Sequence, residues 1–226
     1  MSTSDWRQLG FLNPDALECQ QDVWALQALL RRAQADVLAG LASRTAEPTW
    51  SATLEEGAGK ARETAETMRA EAGEPARERV ADDDLVRAFE ASLDEVLASE
   101  HVPALVTTGY AVLGELGALP VQLLEEVAGP YSRPLCGRLL AEDDHRVLGR
   151  LFPITQPSAR DKESLRRMLR HLHQGLFAVY QGWRQTFHAL GVDGEHLAEE
   201  AVPTVRGALT ALELPATNAD VRFLRA

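Results

Sequence analysis

Residues 102–124 read VPALVTTGYAVLGELGALPVQLL, an apolar stretch whose single charge is Glu115. Its length suits a membrane span, but glycines, prolines and the acid interrupt it, and the chain around it has an ordinary aqueous composition. A helix that is apolar on all sides must be covered by neighbours. The stretch therefore reads as the central helix of a helical domain rather than as a membrane segment.

Working outward, the chain reads as helix almost throughout. Runs that alternate β-branched and polar residues are missing, as are Asn-Gly or Asp-Gly hairpin signals between such runs. Asn13-Pro14-Asp15 is a helix start, and Val23, Leu26, Leu30, Ala33, Val37 and Leu41 then keep helical spacing. A further helix starts near Asp82-Asp83-Asp84, with Leu85, Phe89, Leu93, Val96 and Leu97 on one face. Pro157-Ser158 opens another, whose stripe runs Leu165, Met168, Leu169, Leu172, Leu176, Tyr180, Trp183, Phe187 and Leu190, with Gly191 as its C-terminal cap. The last helix starts at Asp193 and should kink or end at Pro203. Between the first two lies 43–81, whose best pattern is the narrow stripe Leu54, Ala58, Ala61, Ala65, Met68, Ala72. Small side chains bury little, so this segment is expected to be a loosely attached helix or a partly mobile excursion.

The 226 residues suit one domain, and a chain of this length buries enough surface to fold without disulfides or a structural metal. A net charge of −11 argues against a nucleic-acid partner held by phosphate neutralisation. Two cysteines, Cys19 and Cys136, and an N-terminus without a basic-then-apolar run point to a reducing cytoplasm. The wide aromatic stripe at 165–190 suggests a homodimer.

Glu115 needs a partner, because a lone carboxylate among apolar groups costs several kcal/mol unless it is paired, hydrogen-bonded, protonated or metal-bound. After the turn signal Ala128-Gly129-Pro130, a further helix carries Glu142-Asp143-Asp144-His145. Positions i and i+3 share a helix face, so Glu142 and His145 can bind one ion together. Glu115 and Glu142 stand almost equally far from Gly129, so an antiparallel hairpin brings Glu115 level with Glu142 and His145. Helical phase sets the alternative. Leu140, Val147 and Leu151 define the apolar side, while Glu142 and His145 lie nearer Arg138 and Arg146, where they would face water.

A glutamate on one helix with Glu-x-x-His on its hairpin partner is half of a carboxylate-bridged di-metal site. The stretch from about Glu100 to Phe152 resembles the helical hairpin of the ferritin-like superfamily. Its closer likeness is to the ribonucleotide-reductase small-subunit type and to related di-metal oxygenases. The resemblance implies a ferritin-like or similar antiparallel bundle of five to six helices, and an iron or manganese centre that activates dioxygen. Glu115 matches the single glutamate, and Glu142 and His145 match the paired motif. Glu100 falls on the Phe89–Leu93–Val96 stripe and is a candidate further ligand. Tyr110, little more than one turn from Glu115, is a candidate redox or hydrogen-bonding neighbour. The chain has one Glu-x-x-His; Glu195, His196, Glu199 and Glu200 stand at other spacings.

Other candidates read as structure. His171 and His173 point to different sides of one helix, and His173 borders the core. Tyr180, Trp183 and Phe187 read as core, and Cys136 as a small buried hydrophobe. A Ser-His-Asp order, a phosphate loop and a nucleotide fingerprint are all missing. The alternative to a metal-dependent oxidoreductase, or a degenerate relative of one, is a non-catalytic helical module that binds a partner protein or itself.

Overall fold

A computed structural model describes residues 14–127, 133–140 and 144–225, and the described residues are all-α. Their six long helices are α1 (Pro14–Ala42), α2 (Pro48–Asp82), α3 (Asp84–Leu97), α4 (Val102–Val127), α7 (Ala159–Gly182) and α9 (Gly194–Ala211). Shorter helices are α5 (Arg133–Leu140), α6 (Asp144–Leu151), α8 (Arg184–Ala189) and α10 (Asn218–Val221).

The first two helices form an antiparallel hairpin. Arg79 meets Asp22 at 2.7 Å at one end, and the Ser51 hydroxyl donates to the Ala42 carbonyl at 3.1 Å at the other. The 43–81 stretch is thus mostly helix, started by Glu47, whose carboxylate accepts from the Thr49 and Trp50 amides. Its buried face is the expected one, Leu54, Ala58, Ala61, Ala65, Met68 and Ala72, continued by Ala76 and Val80. Small side chains let α2 lie along α1. Gly73, at φ +76°, breaks the helix two residues before Pro75, in a conformation that a Cβ would strain.

Asp83 caps α3 through the Leu85 and Val86 amides and also accepts from the Trp183 indole at 2.9 Å. Val86, not Leu85, joins Phe89, Leu93 and Val96 in the core; Leu85 is exposed. The helix expected to run from Ser158 to Leu190 is interrupted at Trp183, where α7 gives way to α8. Two contacts hold that break: the Trp183–Asp83 bond, and Gly182, where a Cβ would come within 2.6 Å of Leu85 Cδ1. The Ser158–Asp161 capping box starts α7, Asp193 caps α9, and Gly191 turns at φ +87°. Pro203 does not end α9, which continues to Ala211.

Tyr180 and Phe187 are fully buried and meet edge to face at 5.9 Å. The chain closes on Asp220, whose carboxylate accepts from Arg166, Arg170 and Thr217 at 2.6–3.0 Å. These bonds fasten the last residues to α7.

At the centre lies α4, against α1, α5, α6, α7 and α9. It is long and apolar enough to cross a membrane, yet 78 % of its most apolar eighteen-residue window is buried inside the protein. Packing against neighbouring helices accounts for the apolarity that reads so prominently in the sequence.

Candidate functional site

The middle of α4, Thr108–Leu116, is a π-helix. Such a turn closes over i→i+5 and is uncommon outside functional sites and helix bulges. Buried side chains from two neighbours serve the carbonyls of this region. Gln27 Nε2 on α1 donates to the Gly117 carbonyl at 3.0 Å. From α7, His173 Nε2 donates to the Ala111 carbonyl at 3.3 Å, and the Tyr180 hydroxyl donates to the Leu116 carbonyl at 3.0 Å. His173 is 1 % exposed, and burial pushes its pKa down to about 4, so the ring is a neutral donor at neutral pH.

The wide turn brings Tyr110 and Glu115 together. In an α-helix, residues five apart point about 140° away from each other. Here the Tyr110 hydroxyl donates to the Glu115 carboxylate, and both residues are half-buried. Burial and the Glu115 charge raise the Tyr110 pKa, opposed by Arg146 on α6. The expected hydrogen-bonding neighbour is therefore in place.

Two glycines let α6 approach. A Cβ on Gly109 would come within 2.5 Å of Leu148 Cδ1 and 2.8 Å of Val37 Cγ1, so α1, α4 and α6 meet there. A Cβ on Gly149 would stand 3.2 Å from the Tyr110 ring. The hairpin runs antiparallel, because Glu125 near the end of α4 lies against Gly137 on α5. Position 145 is one α turn before Gly149, and Glu115 is one π turn after Tyr110. The backbone of His145 on α6 thus stands level with Glu115. Only the backbone of His145 is described, and Glu142 lies outside the described residues. Glu100 is exposed in the loop after α3, which ends at Leu97 before the stripe can reach it.

Residues that the sequence reading missed come from α1. Gln27, Arg31 and Gln34 follow one another at helical spacing and are all buried, Arg31 being 6 % and Gln34 2 % exposed. Contacts of Gln27 with Gly117 and of Val37 with Gly109 run α1 antiparallel to α4 and place Arg31 and Gln34 along the π turn. Neither polar atom of the Gln34 amide has a hydrogen-bond partner, nor does the Thr108 hydroxyl. The signal was available: three long polar residues at spacings of four and three, flanking the Leu26–Leu30–Val37 stripe. Among the described residues, no group of three His, Cys, Asp or Glu side chains stands together as a metal site. His171 is exposed beside Ser92, at 3.3 Å, and the Cys136 thiol is pushed up to about 11 by burial and by Glu125, which leaves it unreactive. No protein-family model and no curated protein matches the chain.

Proposed function

We propose that the chain is a ferritin-like bundle that holds one iron or manganese ion at the π turn, through Glu115 with Glu142 and His145, and serves as an oxidoreductase. The observation that carries this reading is the π turn itself. It sets a half-buried carboxylate and a tyrosine hydroxyl on one face, with α6 passing alongside at the level of Glu115. Two carboxylates and an imidazole suit a divalent first-row ion.

The neighbouring helices favour one ion over two. Where a second carboxylate pair would be needed, α1 presents Gln27, Arg31 and Gln34, and α7 presents His173 and Tyr180, whose polar atoms are bonded to backbone. A buried guanidinium opposes a second dication. In this reading Glu115 and His145 hold the ion, and the Tyr110 hydroxyl fixes the orientation of the Glu115 carboxylate. The bound metal supplies redox chemistry and Lewis acidity. The Gln34 amide and the Thr108 hydroxyl are buried without a hydrogen-bond partner along the same turn.

A second reading is a metal-free helical module that binds a partner or a second copy of itself. Arg31 supports it, because its buried positive charge can balance carboxylates in the interior without a metal. Elemental analysis of protein purified without chelator, with a near-ultraviolet spectrum after iron loading, separates the two. The metal reading requires about one equivalent of iron or manganese. Less than about a tenth of an equivalent of iron, manganese or zinc leaves the second reading standing.

A further inference from the structure

Where α7 and α8 meet the first half of α9 lies a cleft of about 790 Å³. Its volume falls within the ordinary range of ligand sites. One wall carries Gln181 at the end of α7 and Arg184, Gln185 and His188 on α8. The opposite wall belongs to α9 and carries Asp193, Glu195 and Glu199. Between the walls, Ala198, Val202 and Leu224 form an apolar floor.

The charges are sorted by wall. Basic and amide groups stand on one side and carboxylates on the other. Although Gly194 lies directly against Arg184, with a Cβ position 3.6 Å from Arg184 Cβ, no ion pair or hydrogen bond crosses the cleft among these described residues. Asp193 is occupied in capping α9 through the Glu195 amide, which leaves Glu195 and Glu199 as the available acids. Opposite charges that face one cleft without meeting are complementary to a ligand carrying both signs, with an apolar body between them.

We infer that this cleft binds a short peptide with free termini and apolar side chains. Its carboxylate lies toward Arg184 and His188, its ammonium toward Glu195 and Glu199, and its side chains on Ala198, Val202 and Leu224. The site is independent of any metal at the π turn.

The test is a titration of the full chain with the dipeptide leucyl-leucine, followed through the backbone amide shifts of residues 181–202. Saturable binding with a Kd of about a millimolar is expected. N-acetylation or C-amidation should each weaken it about fivefold, the scale of one exposed charge pair. Arg184→Gln should lose sensitivity to C-amidation, and Glu199→Gln to N-acetylation. Both residues are exposed, so neither change threatens folding. Capped dipeptides binding as tightly as the free one overturn the proposal, as does the lack of a saturable shift at about ten times that concentration.

Discussion

Tyr110 donates a hydrogen bond to Glu115 five residues further along the same helix, a reach that the π turn provides. The bond joins the one charged residue of the central stretch to a ring that rests on Gly149 of α6. Tyr110→Phe keeps the ring and removes the hydroxyl. Urea denaturation should show a loss of about 1 kcal/mol, the value of one hydrogen bond to a charged group in a half-buried site. If Glu115 is a ligand, the same variant should also bind iron about tenfold more weakly, as a lost orienting bond does. Stability and affinity both unchanged would detach Tyr110 from the site.

His173 predicts the response to acid. Its folded pKa of about 4 lies below the unfolded value of about 6.5. Above pH 6.5 the ring is neutral in both states and costs nothing. As pH falls from 6.5 toward 4, the unfolded chain takes up a proton that the folded one refuses. About 3 kcal/mol of stability is lost across that window, and the loss levels off below it. Denaturation of wild type and His173→Gln at a series of pH values checks this, because the variant should lack most of that slope. Parallel curves would contradict the burial argument.

The Asp220 clasp is a separate expectation. Its carboxyl is held well below the usual carboxylate range by Thr217, Arg166 and Arg170, against an opposing desolvation penalty. Asp220→Asn leaves the Arg170 guanidinium without its carboxylate partner and Arg166 with Glu163 and Thr217 alone. Since both are partly solvated, about 2 kcal/mol of destabilisation is expected, less than for a fully buried pair. Amides of 218–225 should also exchange with deuterium faster. A variant as stable as wild type would show that the clasp contributes nothing net.

Of the long helices, α2 should be the least protected. Most of the α2 contact face is alanine, and Gly73 interrupts its hydrogen bonding. Amides of 48–72 are expected to exchange with deuterium sooner than those of α7, and protease should cut there first. Protection equal to that of α7 would make α2 an integral part of the core.

Much of this architecture was legible in the sequence because amphipathic helices announce themselves. Asp83, Ser158 and Asp193 marked starts, the Asn13 signal lies outside the described residues, and the stripes of α1, α3 and α7 pointed inward as read except at Leu85. The π turn was not legible. Its stretch is apolar on every side, so no polar face records the phase; counting residues placed Tyr110 near Glu115 but did not reveal the i→i+5 turn between them. The α7–α8 break was hidden for another reason. The apolar stripe continues through it, while its cause, Trp183 reaching Asp83, is a contact a hundred residues away in sequence. Gln27, Arg31 and Gln34 were overlooked because polar residues beside a stripe normally face water. Here a distorted helix offers Gln27 the Gly117 carbonyl, and Arg31 and Gln34 are buried along the same side.

The most direct test is the metal content of Glu115→Leu against wild type, measured with their unfolding free energies. With Glu115 as a ligand, wild type should carry about one iron or manganese and the variant less than about a tenth of an equivalent. Loss of metal should accompany Glu142→Ala and His145→Ala as well, because one ion shares the three groups. Leucine fills a similar volume, so without a metal role the swap can be neutral or stabilising. A stabilised Glu115→Leu with unchanged metal content would contradict the metal centre and leave the helical bundle intact.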